Sequence, residues 1–189
     1  YNMGDNMHPN RPFLELNIGP MFSGKTSFLI EKYNQCVFCN IPVIAINHAL
    51  DNYDDTLMCS HDKNKIPCTR VSSLMDLLST ETTCITDAQV IIINEGQFYP
   101  DLYEAVCAFL DMGKQIFVSG LDGDFERNKF GQILDIIPLC DKVSKLTSMC
   151  GICRDGTPGI FSKRITCETT QTVVGAEHYI PVCRKCFNN

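Results

Sequence analysis

Gly19-Pro20-Met21-Phe22-Ser23-Gly24-Lys25-Thr26 decides the fold. The stretch satisfies G-x-x-x-x-G-K-[ST], the pattern of a loop that wraps phosphate groups. Its glycines let the backbone curl so that N–H groups point inward at phosphate oxygens. Lys25 adds a positive charge for the β- and γ-phosphates, and the Thr26 hydroxyl offers a hard oxygen to Mg²⁺. An apolar run, residues 13–18, precedes the loop, and a helical pattern, residues 25–38, follows it. A strand before and a helix after is the context the motif requires, and the helix N-terminus adds its dipole to the anion site. A chance glycine turn would not come with both. The loop fixes a nucleoside triphosphate site without saying what is done there.

Residues 42–47, 89–93, 115–119 and 142–148 are further strand candidates. Val43-Ile44-Ala45-Ile46, Val90-Ile91-Ile92-Ile93 and Ile116-Phe117-Val118 show no polar alternation. Such runs suit strands covered on both faces, as in a parallel sheet. Leu74, Leu77 and Leu78 predict a helix over residues 71–79. The clearest helix is 99–112, with Pro100 near its first turn, a stripe of Leu102, Val106, Phe109 and Leu110, and Gly113 past its end. Strand–helix–strand alternation predicts an α/β fold with a parallel sheet. After Met149 helical periodicity stops and Cys, Thr, Gly and Lys/Arg take over. Residues 12–148 are therefore read as the nucleotide-binding domain and 149–189 as a separate small module.

Composition narrows the function. The 189 residues hold 16 Lys+Arg against 22 Asp+Glu, a net charge of −6, with 44% apolar and 20% charged residues. Those fractions belong to a globular chain. A pI near 5.1 repels phosphate backbones, so no nucleic-acid partner is expected. No run of 18 apolar residues predicts a membrane span, and residues 1–11 lack the apolar core of a secretory signal. Because it begins at Tyr1 rather than Met, the chain is expected to have lost preceding residues. A cytoplasmic protein follows. Cys84, Cys107 and Cys140, among twelve cysteines, lie in apolar segments and read as reduced core thiols rather than disulfides.

Val90-Ile91-Ile92-Ile93-Asn94-Glu95 is an apolar strand that ends in two polar residues. In open α/β sheets ligands lie beyond the carboxyl ends of strands, so both face the site. A metal-holding carboxylate normally sits here in phosphate-loop proteins. Glu95 reads as a Mg²⁺ ligand or general base, against a carboxylate that only stabilises the next helix's dipole. Asn94 carries no charge. Cys150-x-x-Cys153 and Cys183-x-x-Cys186 can present four thiolates to one structural Zn²⁺, with residues 154–182 as a loop tied off by the metal. Zinc binding worth ~10–16 kcal/mol outweighs the few kcal/mol of closing such a loop. Cys36-x-x-Cys39 has no partner knuckle and reads as neither metal nor redox site.

Gly19 to Thr26 (GPMFSGKT), Asn94 to Asp101 (NEGQFYPD), Leu121 to Gly131 (LDGDFERNKFG), Ser162-Lys163-Arg164, Gly175-Ala176-Glu177-His178-Tyr179 and the Cys183–Cys186 knuckle follow in that order. Together they resemble the type II thymidine kinases, over nearly the whole chain. The resemblance implies an α/β, RecA-like P-loop core with a small C-terminal zinc-binding lasso domain. It also implies a homotetramer and feedback inhibition by thymidine triphosphate. The implied reaction moves the γ-phosphoryl of ATP to the 5′-hydroxyl of thymidine or deoxyuridine, in pyrimidine deoxynucleotide salvage.

By the same resemblance, Gly19, Pro20, Met21, Phe22, Ser23, Gly24, Lys25, Thr26, Asn94 and Gln97 hold ATP and Mg²⁺. Met21, Phe98, Leu121, Phe125 and Phe130 wall the base. Ser162, Thr170, Gln171, Thr172, Val173, Val174 and Gly175 form the lasso, and Tyr179 bonds the deoxyribose. Ser162 replaces a common Thr. Catalysis falls to Glu95 as base, Lys25, and Arg164 as neutraliser of the transferring group. His61-Asp62-Lys63-Asn64, within residues 51–64, resembles a loop over the ATP side, and Tyr53 stands where relatives carry Arg. Two other classes remain: a kinase for another deoxynucleoside, and a non-catalytic nucleotide-gated module. Read alone, each Phe is core packing.

Overall fold

The computed structural model describes residues 11–50, 56–60, 63–79, 84–173 and 175–189. Tyr53, His61, Asp62 and Val174, and most of the N-terminal segment, lie outside the described residues. The chain runs β1 (Phe13–Ile18), α1 (Lys25–Phe38), β2 (Val43–His48), β3 (Leu57–Cys59), β4 (Lys65–Pro67) and β5 (Thr69–Val71). It continues through α2 (Asp76–Ser79), α3 (Cys84–Asp87), β6 (Val90–Ile93), α4 (Leu102–Asp111), β7 (Gln115–Gly120) and β8 (Lys142–Lys145). Short elements close it: β9 (Ser148–Met149), β10 (Pro158–Gly159), β11 (Phe161–Arg164), β12 (Tyr179–Val182) and α5 (Arg184–Asn188).

Six strands form one parallel sheet in the order β5-β2-β6-β7-β1-β8. β7 separates β1, which feeds the phosphate loop, from β6, which carries Asn94 and Glu95 at its end. That insertion is the RecA-like arrangement expected from the sequence. It sets the phosphate loop one strand away from Asn94 and Glu95 at the same end of the sheet.

The two-residue period of a strand divides the apolar runs between two cores. Ile91, Ile93, Ile116 and Val118 face α4, where they meet Leu102, Ala105, Val106 and Phe109. Val90, Ile92 and Phe117 face α1, with Leu29, Ile30 and Cys36. All four residues of β6 and all six of β7 are buried. Burying each Ile or Phe is worth roughly 1.5–3 kcal/mol, so these two strands anchor the site. Glu15 on β1 is also buried, and Lys142 on the edge strand β8 pairs with it at 2.8 Å.

The helix expected over 71–79 is much shorter. Val71 closes β5, and only Asp76–Ser79 turn into helix. The Asp101 carboxylate takes the Ser73 hydroxyl at 2.6 Å and the Met75 N–H at 2.8 Å, which fixes the intervening chain as a turn. The leucines still bury their side chains, Leu74 and Leu77 in the α4-side core. Pro100 precedes α4 rather than entering it, and Gly113 follows its end as expected. β8 stops at Lys145, and Ser148 instead joins the β9–β10 pair. Cys107 and Cys140 are half-buried rather than core. Cys36, Cys39, Cys59, Cys68, Cys107, Cys140 and Cys167 are free thiols, as are the four cysteines of the C-terminal module.

Candidate active site

α1 begins at Lys25 with no side-chain cap and no acidic residue in its first turn. Its first N–H groups are therefore left for an outside acceptor, which is what an anion site needs. Lys25 is buried, and its ammonium donates to the Pro20 carbonyl at 2.6 Å and to Ser23 Oγ at 3.4 Å. Burial pushes the Lys25 pKa below its ordinary value, and the nearby carboxylates of Glu95 and Asp122 offset part of that fall. A triphosphate brings the counter-charge this ammonium lacks.

Asn94 points its Oδ1 at Thr26 Oγ1, 3.5 Å away, and donates its amide to Asn47 Oδ1 at 3.1 Å. Its orientation is thus set by β2, and the oxygen end faces the phosphate loop. Glu95 has φ 53°, a left-handed backbone uncommon outside glycine. Such strain costs about 1–3 kcal/mol and gathers at functional sites. Gln97 Nε2 donates to Glu95 Oε2 at 2.6 Å, and its Oε1 accepts the Leu121 N–H at 2.9 Å. Gln97 is 3% exposed and does not line the cavity where ATP was expected to meet it.

That cavity, about 540 Å³, runs from Ser23, Gly24, Lys25 and Thr26 past Asn94 and Glu95 to Phe98, Leu121, Phe125 and Phe130. Met21, Phe22, Ser162, Gln171, Thr172, Val173, Gly175 and Tyr179 complete the expected lining. Phe98 meets Phe130 edge-on, with centroids 5.6 Å apart. Gly19 and Pro20 shape the loop without facing the cavity, and Thr170 is exposed on the lasso.

Arg164 is not among the residues that line this cavity. Its guanidinium donates to the carbonyls of Glu168, Thr170 and Gln171 and to the Tyr179 hydroxyl. It also lies 3.7 Å over the Phe125 ring. These contacts fold the lasso onto itself and hold Arg164 out of the cavity. Tyr179 in turn donates to the Val173 carbonyl at 3.1 Å. Gln171 donates to Asp124 Oδ2 at 2.8 Å, which fastens the lasso to the 121–131 segment. The Met21 N–H donates to Ser162 Oγ at 2.9 Å, which joins the phosphate loop to β11.

Sequence reasoning missed the β3–β4 hairpin, from which Cys59, Ser60, Lys63 and Lys65 line the cavity. The available signal was Lys63-Asn64, already placed over the ATP side. Asp124 was missed as well. The Cys150, Cys153, Cys183 and Cys186 sulfurs lie within 4.8 Å of one another, the only grouping of metal-ligating side chains among the described residues. The Cys153 N–H draws the Cys150 thiol down to about 6, while Cys186 pushes Cys153 up to about 12.

A phosphate loop, a polar β6 terminus one strand away and a cavity that runs past both define a P-loop phosphotransferase. Residues 12–187 match the thymidine kinase family, and the chain belongs to it. It is an ATP-dependent kinase. It is 39% identical to the thymidine kinase of variola virus, over 94% of this chain and 98% of that one. A thymidine kinase of monkeypox virus is 39% identical over the same shares. One from Oryza sativa subsp. japonica is 43% identical over 89% of this chain and 63% of its own length. Among the described residues no helix is long and apolar enough to cross a membrane.

Proposed function

We propose that this kinase transfers the γ-phosphoryl of ATP to the 5′-hydroxyl of thymidine, with deoxyuridine as a second acceptor. One observation carries the reading: Glu95 lines a single cavity that has the phosphate loop at one end and the Phe98–Phe130 pair under the lasso at the other. The nucleoside base fits between the rings and the lasso backbone, and the triphosphate fits along Gly24 and Lys25. Phosphoryl transfer is mostly positioning and charge neutralisation. Lys25 and the first amides of α1 hold the phosphates. Glu95 accepts the hydroxyl proton as the nucleophile attacks. The lasso excludes water, with Arg164 as its internal clasp.

Thr26 Oγ1 and Asn94 Oδ1, side by side, suit a hard cation or its waters. Magnesium there would add positive charge to the β- and γ-phosphates. The four thiols suit zinc. A Zn–S bond near 2.3 Å in a tetrahedron puts sulfurs about 3.8 Å apart. Cys153 lies 3.4 Å from Cys186 and 3.8 Å from Cys183. A structural zinc would staple residues 149–189 into a small domain beside the 12–148 core. A cytoplasmic homotetramer under feedback by thymidine triphosphate completes the proposal, on family resemblance.

Labelled ATP with Mg²⁺ and each deoxynucleoside in turn tests the reading. Thymidine and deoxyuridine are expected to turn over, with purines rejected strongly. Equal turnover of deoxyguanosine would overturn the substrate assignment. ATP binding without turnover of any nucleoside would leave a nucleotide-gated module.

A further inference from the structure

We infer that Gln97 is a positioning residue that aims the catalytic carboxylate of Glu95, and that the chain is shaped around this one side chain. The inference rests on the proposed role of Glu95 as base. Glu95 lies just past Asn94 beyond the end of β6 in a left-handed conformation, and its carboxylate reaches the cavity from a strained point of the backbone. A strained backbone alone does not fix the far end of a flexible side chain. Gln97 does so, by donating Nε2–H to Oε2 at 2.6 Å. That bond engages one oxygen and leaves Oε1 to take the substrate proton.

The amide of Gln97 is itself held at both ends. Its Oε1 accepts the Leu121 N–H at 2.9 Å, which forces Nε2 toward Glu95 and forbids the flipped amide. Two glycines make the room. A Cβ at Gly120 would stand 2.3 Å from Gln97 Oε1, and one at Gly131 would stand 2.1 Å from the Gln97 carbonyl oxygen. β7 therefore ends in glycine at the point where the Gln97 amide passes. The same Leu121 lines the nucleoside end of the cavity, so one buried amide ties the wall of the acceptor pocket to the base that acts on the acceptor. Among the titratable groups, Lys25 and the Tyr99 hydroxyl interact with the carboxylate, and Asp122 shares Lys25 with it.

The test compares Gln97→Leu and Gln97→Glu with wild type by kcat, KM, pH profile and crystal structure. Gln97→Leu removes the donor at similar volume. Its kcat is expected to fall about 10- to 100-fold, as for a mispositioned catalytic group, with KM for thymidine within about threefold. Gln97→Glu keeps size and shape and still accepts from Leu121. Its introduced carboxyl donates to Glu95 only when protonated, so kcat is expected to recover as pH is lowered from 8 to 5.5. Gln97→Leu is expected to show no such recovery. Parallel pH profiles for the two variants, or a Gln97→Leu kcat within threefold of wild type, would overturn the inference. If wild-type protein phosphorylates no nucleoside, the proposed function fails on its own. The crystal structures then decide the positioning: a Glu95 carboxylate displaced in Gln97→Leu supports it, and one that keeps its place refutes it.

Discussion

Replacing Asn94 with Asp sets two effects of one atom exchange against each other. On the phosphate side, a full charge replaces a neutral oxygen 3.5 Å from Thr26 Oγ1. Hydrogen bonds to charged groups are worth about 1.5–3 kcal/mol against roughly 1 for neutral ones. The gain is on the order of 1 kcal/mol, which is about five- to tenfold in Mg²⁺. On the β2 side the exchange removes a donor. Asn47 Oδ1 loses the amide at 3.1 Å and meets a carboxylate oxygen instead, in a position with no exposure. Turning the Asn47 amide over is no escape, because its Oδ1 also takes the His48 N–H at 3.1 Å. Asn47 Oδ1 keeps the His48 N–H but faces a carboxylate oxygen where it had a donor, and losing a buried hydrogen bond in this way costs about 1–3 kcal/mol. At this chain length 1 kcal/mol moves Tm by roughly 2–4 °C. Asn94→Asp should therefore melt roughly 2–12 °C lower yet reach half-maximal rate at about five- to tenfold less Mg²⁺. Rate against Mg²⁺, with calorimetric melting of both forms, measures each half separately. Superimposable Mg²⁺ curves would refute the metal argument, and an unchanged Tm would refute the role given to Asn47.

Glu95→Gln should lower kcat by about 10²–10⁴-fold with little change in thymidine affinity; a near-normal kcat would demote Glu95 to a structural part. Gly120→Ala should lower kcat severalfold, because the new methyl collides with the Gln97 amide at 2.3 Å, and a variant as active as wild type would show that the notch is not needed. Burial lowers the Lys25 pKa, and an anionic triphosphate raises it again, so ATP binding should take up protons at pH values between the lowered value and the ordinary 10.5. The stability sign is opposite to that of a paired lysine: across that window the unfolded chain binds the extra proton, so stability rises with pH. Calorimetry in buffers of differing ionisation heat reads the uptake, and proton release would contradict it. Cys186→Ser should lower zinc content from one ion per chain and reduce Tm by several degrees; full zinc occupancy with three thiols would argue against a four-sulfur site.

The phosphate loop, the four cysteines and the buried strands were legible because each follows from local rules. Residues 19–26 need only their own spacing, and β6 and β7 announce burial on both faces by lacking polar residues. Residues 71–79 misled because leucines at helical spacing are equally satisfied by a turn, once a distant carboxylate, Asp101, takes its N–H groups. The partners of Arg164 were hidden for a related reason. A guanidinium reads as a phosphate partner in sequence, but four acceptors of the lasso itself surround it in space, and three of these are backbone carbonyls that no side-chain pattern reveals. Gln97 was placed in the right motif, but its bond to Leu121 was not legible, since that contact depends on β7 lying next to β6. The β3–β4 hairpin and its Lys65 were hidden because three-residue strands are too short to show a period.

The bond from the Met21 N–H to Ser162 Oγ spans 141 positions of chain and is short, at 2.9 Å. It makes a wall of the nucleoside pocket and the backbone of the phosphate loop parts of the same body. Ordering either one orders the other, so the conformational entropy is surrendered once rather than twice. Thermodynamic reciprocity then applies: whatever factor the phosphate donor adds to acceptor affinity, the acceptor adds to donor affinity. With such coupling, a donor bound alone gains less than the pair. Such coupling favours the ternary complex over either binary one.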